Sequence, residues 1–249
     1  MKVAGSSIEV ALTPHCGLED ILTGTSYIEE LGPGSLSYLS QNNLGVVEMN
    51  WVSVKNNITM EPIFSSHITP GELEERYKGW GKVKDYLKFS IVRNPWDVLV
   101  SYFWWSFYGY TVIGEKPNKG AHESIKPMIY DSPVVLRAKL QNFCESCLDF
   151  NEADVGLKKE NDNVLEWFVR VQQSFFLNKD IKFILRFENI QNDFNKVCSE
   201  IDVPCVPIPR LKSAIRKSDL HYQDYYNDYV RELVGDCFKE TIERFDYKF

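Results

Sequence analysis

Lys88 to Trp105 reads KFSIVRNPWDVLVSYFWW, and the change of period inside this stretch decides the fold. Phe89 to Val92 is a short apolar run of the kind that forms a buried strand. The run then breaks. Asn94 can cap a helix, and Pro95 suits its first turn, where a missing N–H costs nothing. Val98, Ser101, Tyr102 and Trp105 follow at helical spacing. The stretch is therefore strand, tight turn, helix, with Arg93 at the strand's carboxyl end, where open α/β sheets bind ligands. Arg93 is a permanent cation whose planar donor fork suits phosphate. Ser101 lies about two turns along, at the edge of an apolar stripe, where a hydroxyl has a use if it contacts a ligand. On residue types alone a plainer reading stays open: Arg93 in a surface ion pair, and Ser101 bonded back to its own helix.

The opening, MKVAGSSIEVAL, has a related character. Gly5, Ser6 and Ser7 are small, and Ile8 and Leu12 then fall on one helical face. Ser6 or Ser7 can cap that helix, with Glu9 near the positive end of its dipole. A small-residue turn into a helix N-terminus offers N–H groups and hydroxyls to an anion, and Lys2 stands just before it. The spacing is not that of a Walker A loop. A capped surface helix is the alternative.

The chain has 249 residues, which suits one large α/β domain or two small ones, with a single domain over 1–249 the expectation, and its 44% hydrophobic and 25% charged content is ordinary for a globular protein. The formal net charge of −7 argues against a general nucleic-acid binder, although a local cationic cluster can still hold an anionic cofactor. No apolar run reaches the length of a membrane span, and no basic-then-apolar leader opens the sequence, so a cytoplasmic location is expected. Six cysteines are dispersed. Cys144 and Cys147 form a C-x-x-C without a second pair or a nearby histidine, so no metal site is expected.

Elsewhere, Val46 to Val54 reads as a strand, Val134 to Leu148 and Val164 to Phe176 as helices, and Ile181 to Phe187 as a strand leading into a helix with Ile190, Phe194, Val197 and Ile201 inward. Pro204, Pro207 and Pro209 then enforce an extended segment. Lys212, Arg216 and Lys217 make a basic patch, which as a rule is only a solvated charge run. A last amphipathic helix carries Val230, Leu233, Val234, Cys237, Phe238 and Phe245 on its buried face. His67, in FSSH, and more weakly His122, have the near-neutral pKa needed to take a proton, though a lone histidine is more often structural.

The stretch RNPWDVLVSYF resembles the 3′-phosphate-binding segment of the PAPS-dependent sulfotransferases, above all their carbohydrate (Golgi-type) branch. Arg93 and Ser101 match the arginine and the serine eight residues later. KVAGSSIE resembles that family's 5′-phosphosulfate loop, Lys2 matching its lysine and Ala4, Gly5, Ser6 and Ser7 its loop. RFENIQNDFNKVCSEIDVP and HYQDYY resemble its late strand–helix unit and the segment after its nucleotide-closing loop. The resemblance runs through nearly the whole chain in the family's order. It implies a P-loop-like three-layer domain, a central parallel sheet between helices. The family places a buried strand before the lysine, where only Met1 stands, so the usual first strand is expected to be missing or truncated.

By the same resemblance, the donor is 3′-phosphoadenosine 5′-phosphosulfate (PAPS), the product 3′,5′-ADP (PAP), and the acceptor a hydroxyl, on a carbohydrate by family branch, with no metal required. Lys2 would stabilise the leaving oxygen, and His67, in the interval where several carbohydrate sulfotransferases carry a catalytic histidine, would be the base. Arg93, Ser101, Arg216 and Lys217 would hold the 3′-phosphate, and Tyr222 would lie on the purine side. Two other classes stay open: a non-catalytic nucleotide- or glycan-binding protein on a degenerate form of the fold, and a nucleotide-dependent phosphotransferase, against which the missing Walker A spacing counts.

Overall fold

The computed structural model describes residues 3–16, 51–53, 60–62, 85–112, 131–149, 169, 173, 180–211, 216 and 218–249. Helix and strand are mixed. Among the described residues, four strands, β1 (Trp51–Ser53), β2 (Met60–Pro62), β3 (Phe89–Val92) and β4 (Phe183–Arg186), form two pairs. The helices are α1 (Gly5–Leu12), α2 (Pro95–Val112), α3 (Pro133–Asp149), α4 (Ile190–Glu200), α5 (Asp228–Cys237) and α6 (Lys239–Phe245). Among the described residues no helix is long and apolar enough to cross a membrane.

The pair that organises the molecule is β3 with β4. They run parallel, in register from Phe89 opposite Phe183 to Val92 opposite Arg186. Parallel neighbours need a long crossover, and a sheet built so is covered on both faces. Side chains of a strand alternate between faces, and β4 obeys this. Phe183 and Leu185 join a core with Ile8 and Ala11 of α1 and Phe194, Val197 and Cys198 of α4. Ile184 packs instead on the core built by Val92, α2, α3, Tyr225, Tyr226 and α5. The result is an α/β arrangement with a small parallel sheet between two helical clusters. β1 and β2 pair antiparallel, Trp51 opposite Pro62.

The expected strand, cap and helix of 89–112 are present. The Asn94 side-chain oxygen accepts from the Trp96 N–H at 3.0 Å, and Val98 N–H donates to the Asn94 carbonyl at 2.9 Å. Trp104 is a core residue whose indole N–H donates to the buried Tyr225 hydroxyl at 3.1 Å. Two local expectations are corrected. Helix α1 is not capped by Ser6 or Ser7. Its N-cap is Ala4, in the left-handed region at φ 67, with no side-chain cap bond, and both serines lie inside the first turn. The last helix is two helices, because Phe238 leaves helical dihedrals (φ −103, ψ 18) and is fully buried there. The strand over 46–54 is described only at 51–53 and the helix over 164–176 only at Val169 and Gln173, each in the expected state.

Candidate functional site

The β3–β4 ladder ends where the chain after β4 turns into a 3-10 helix over Phe187–Asn189. Val92 stands opposite Arg186, and next in each chain come Arg93 and Phe187. The Arg93 guanidinium carbon lies 3.9 Å from the Phe187 ring centre, a cation held on a π face. One residue further, the Asn94 N–H donates to a Glu188 carboxylate oxygen at 2.7 Å. The other Glu188 oxygen accepts from the Tyr247 hydroxyl at 3.2 Å. Asn94 Nδ2 donates to the Lys248 carbonyl at 3.0 Å and to the Tyr222 hydroxyl at 3.3 Å. The strand end is thus tied to the C-terminal segment by an asparagine only 8% exposed.

Arg93 and Arg216 meet at one carboxylate. Arg93 Nε and Nη2 donate to Asp97 Oδ2 at 2.8 and 2.6 Å. Arg216 Nη1 donates to Asp97 Oδ1 at 3.2 Å. The three side chains are 12%, 19% and 23% exposed for Arg93, Asp97 and Arg216. Arg216 Nη2 also donates to the Leu220 carbonyl, its guanidinium carbon lies 5.2 Å from the Tyr225 ring centre, and its buried Nε has no hydrogen-bond partner among the described residues. Ser101, partly buried, is four residues beyond Asp97, which puts it on the same face of α2, one turn further from the strand.

Tyr222 is within this neighbourhood. Burial, then the Asp97 charge, pushes its phenol above the ordinary value, so it stays neutral at physiological pH. Its ring meets Phe249 edge-on at 6.0 Å.

The N-terminal loop reaches the same sheet. Val3 is buried in the core that contains Val92 and Trp96, and Ile8 and Ala11 pack with Leu185. Ser7 is 4% exposed, and its hydroxyl accepts from the Leu211 N–H at 3.3 Å, joining the first turn of α1 to the segment that leads towards Arg216. Gly5 is exposed, and a Cβ built on it would meet nothing within 4 Å. The structure thus brings Arg93, Arg216 and Tyr222 to one neighbourhood, with Ser101 one turn further along α2, while Ala4, Gly5, Ser6 and Ser7 lie between Val3 and Ile8, which pack in the two cores beside the same sheet. Lys2, His67, His122, Lys212 and Lys217 lie outside the described residues.

Three residues of this site went unread in the sequence: Asp97, Phe187 and Glu188. Asp97 had a readable signal, an acid four residues after Arg93 at a helix start. Phe187 and Glu188 depend on register across the sheet, which no local spacing reveals. A separate cavity of about 440 Å³ is lined by Trp96, Arg231, Glu232, Gly235, Asp236 and Phe249 and includes none of the expected site residues.

The arrangement offers two partly buried guanidinium groups, one with an N–H that has no partner among the described residues, beside a hydroxyl-bearing helix face. That is a donor set suited to a multiply charged oxyanion. In comparisons with known proteins, no family model, curated protein or solved structure matches the chain.

Proposed function

We propose that this chain is a sulfotransferase that moves a sulfuryl group from PAPS to an acceptor hydroxyl, on a carbohydrate, and that its α/β core is of the P-loop-like kind. The observation that carries the reading is the meeting of Arg93 and Arg216, distant in sequence, at the carboxyl end of a parallel strand. The residues fit the group: the buried Arg216 Nε lacks an acceptor among the described residues, and a phosphate oxygen would supply one. The segment resemblances add the identity of the anion.

When bound, PAPS supplies a sulfuryl group on a good leaving group. Arg93, Ser101, Arg216 and Lys217 hold the 3′-phosphate, and Tyr222 borders the base. Lys2 and the loop from Ala4 to Ser7 take the 5′ end. There, Lys2 neutralises charge that develops on the oxygen between phosphorus and sulfur. His67 accepts the acceptor's proton as the new S–O bond forms and the S–O bond to the nucleotide breaks, in line. The product nucleotide is 3′,5′-ADP.

The test is transfer of radiolabelled sulfate from PAPS to panels of sugar, lipid and peptide hydroxyls. Transfer to a sugar, reduced about 100-fold or more in His67→Ala with 3′,5′-ADP binding retained, is expected. Binding of 3′,5′-ADP without transfer to any acceptor would leave a nucleotide-binding protein, and tighter binding of ATP than of 3′,5′-ADP would favour a phosphotransferase.

A further inference from the structure

Asp97 is a puzzle for an anion site, because it places a negative charge between the two cations that would grip the ligand. Simple electrostatics makes it a competitor. The geometry makes it something else. One carboxylate uses its two oxygens on different partners, Oδ2 for Arg93 and Oδ1 for Arg216, so it spans the guanidinium groups rather than closing over one of them. Each guanidinium is held elsewhere by an aromatic ring, Phe187 under Arg93 and Tyr225 near Arg216. Asp97 itself sits in the first turn of α2, near the positive end of that helix and four residues from Arg93. A ring and a shared carboxylate therefore fix each long, rotamer-rich side chain before any ligand arrives.

We infer that Asp97 is a positioning residue: it binds Arg93 and Arg216 into a single two-guanidinium clamp for the nucleotide's 3′-phosphate. This rests on the reading given under Proposed function. Arg93 comes from the end of β3, whereas Arg216 comes from the segment before Tyr222, outside any helix or strand. Without the carboxylate, Arg216 keeps only the Leu220 carbonyl and the Tyr225 ring, the ligand must complete its ordering, and the entropy lost in doing so reduces affinity. The carboxylate also leaves the Arg216 Nε without a partner among the described residues, so the clamp keeps a donor for the incoming phosphate.

The two roles predict opposite signs, which makes the inference testable. Calorimetry would compare the affinity of 3′,5′-ADP with that of 5′-AMP, whose ratio isolates the 3′-phosphate, in the wild type, Asp97→Asn and Arg216→Met. Asp97→Asn removes a negative charge next to the site, so a competitor's removal raises the ratio, while a positioning residue's removal lowers it. The expected result is a fall of about fivefold or more in the ratio for Asp97→Asn, and a similar fall for Arg216→Met, with 5′-AMP affinity unchanged. General structural damage would lower both affinities and leave the ratio alone. A ratio unchanged or raised in Asp97→Asn overturns the positioning role while the proposed function stands. Should Asp97→Asn show no cooperative thermal transition, Arg216→Met decides, and an unchanged ratio there overturns the clamp. A wild type that does not bind 3′,5′-ADP removes the proposed function and the clamp with it.

Discussion

Arg93 lies over the face of Phe187, its guanidinium carbon 3.9 Å from the ring centre. The contact follows from the parallel register, which sets Val92 opposite Arg186 and so brings the next residue of each strand together. A cation on a ring in a partly desolvated place gains about 1 kcal/mol over a similar apolar surface, roughly a fivefold change in an equilibrium. Phe187→Leu keeps most of the bulk and removes the π face. It is expected to weaken 3′,5′-ADP binding about fivefold with little change in thermal stability. Unaltered affinity in calorimetry would show that the ring does not hold Arg93 for a ligand.

Asn94 has three side-chain bonds, one accepted from Trp96 N–H and two donated, to Tyr222 and to the Lys248 carbonyl. Loss of a cap costs about 1 kcal/mol, and partly buried groups left unpaired add to it. Asn94→Ala should therefore lower unfolding stability by about 2 kcal/mol in urea titration. A change under about 0.5 kcal/mol would mean that the strand end is not tied to the C-terminal segment as described.

Asp202 follows α4 at φ 55, in the left-handed region that favours glycine. Val203 N–H donates to the Cys198 carbonyl at 3.0 Å, the long bond of a Schellman ending. The position is suited to glycine, and aspartate tolerates it only moderately. Asp202→Gly should raise stability by about 0.5–1 kcal/mol after the added freedom of the unfolded chain is counted. A loss of stability, read from the urea midpoint, would contradict the described helix end.

Asp193 gives a pH dependence. Burial pushes its carboxyl up, but the Lys196 ammonium at 2.8 Å, the Arg186 N–H at 3.0 Å and Asn189 outweigh this and hold it below the usual value. A depressed folded-state pKa stabilises the fold fully above the unfolded carboxylate value near 4, and the benefit disappears as pH falls through the lower folded value. The stability gap between the wild type and Asp193→Asn should thus be largest near pH 7 and close towards pH 3. A gap of equal size at both ends would refute the assignment.

How far the sequence could be read depended on how local each cause was. Asn94 and Pro95 announce a helix start by their own chemistry, and the strand before them and the helix after them are present. Arg93, Ser101, Arg216 and Tyr222 were legible as candidates because short motifs carry them. The break between α5 and α6 was not: Phe238 interrupts the helix by turning into a core that includes residues from distant parts of the chain. Ala4 looks like an ordinary small residue until the left-handed φ of 67 at the head of α1 is seen. The roles of Phe187 and Glu188 come from inter-strand register, and the role of Asp97 from a second arginine that its own segment does not contain.

Arg93→Ala tests the central claim most directly. If Arg93 holds a phosphate of the nucleotide, the wild type should bind 3′,5′-ADP with micromolar affinity in calorimetry. The variant should bind about tenfold or more weakly, since a charge-assisted contact is worth about 1.5–3 kcal/mol. Equal affinity in the two proteins, or no binding of 3′,5′-ADP by the wild type, would contradict it.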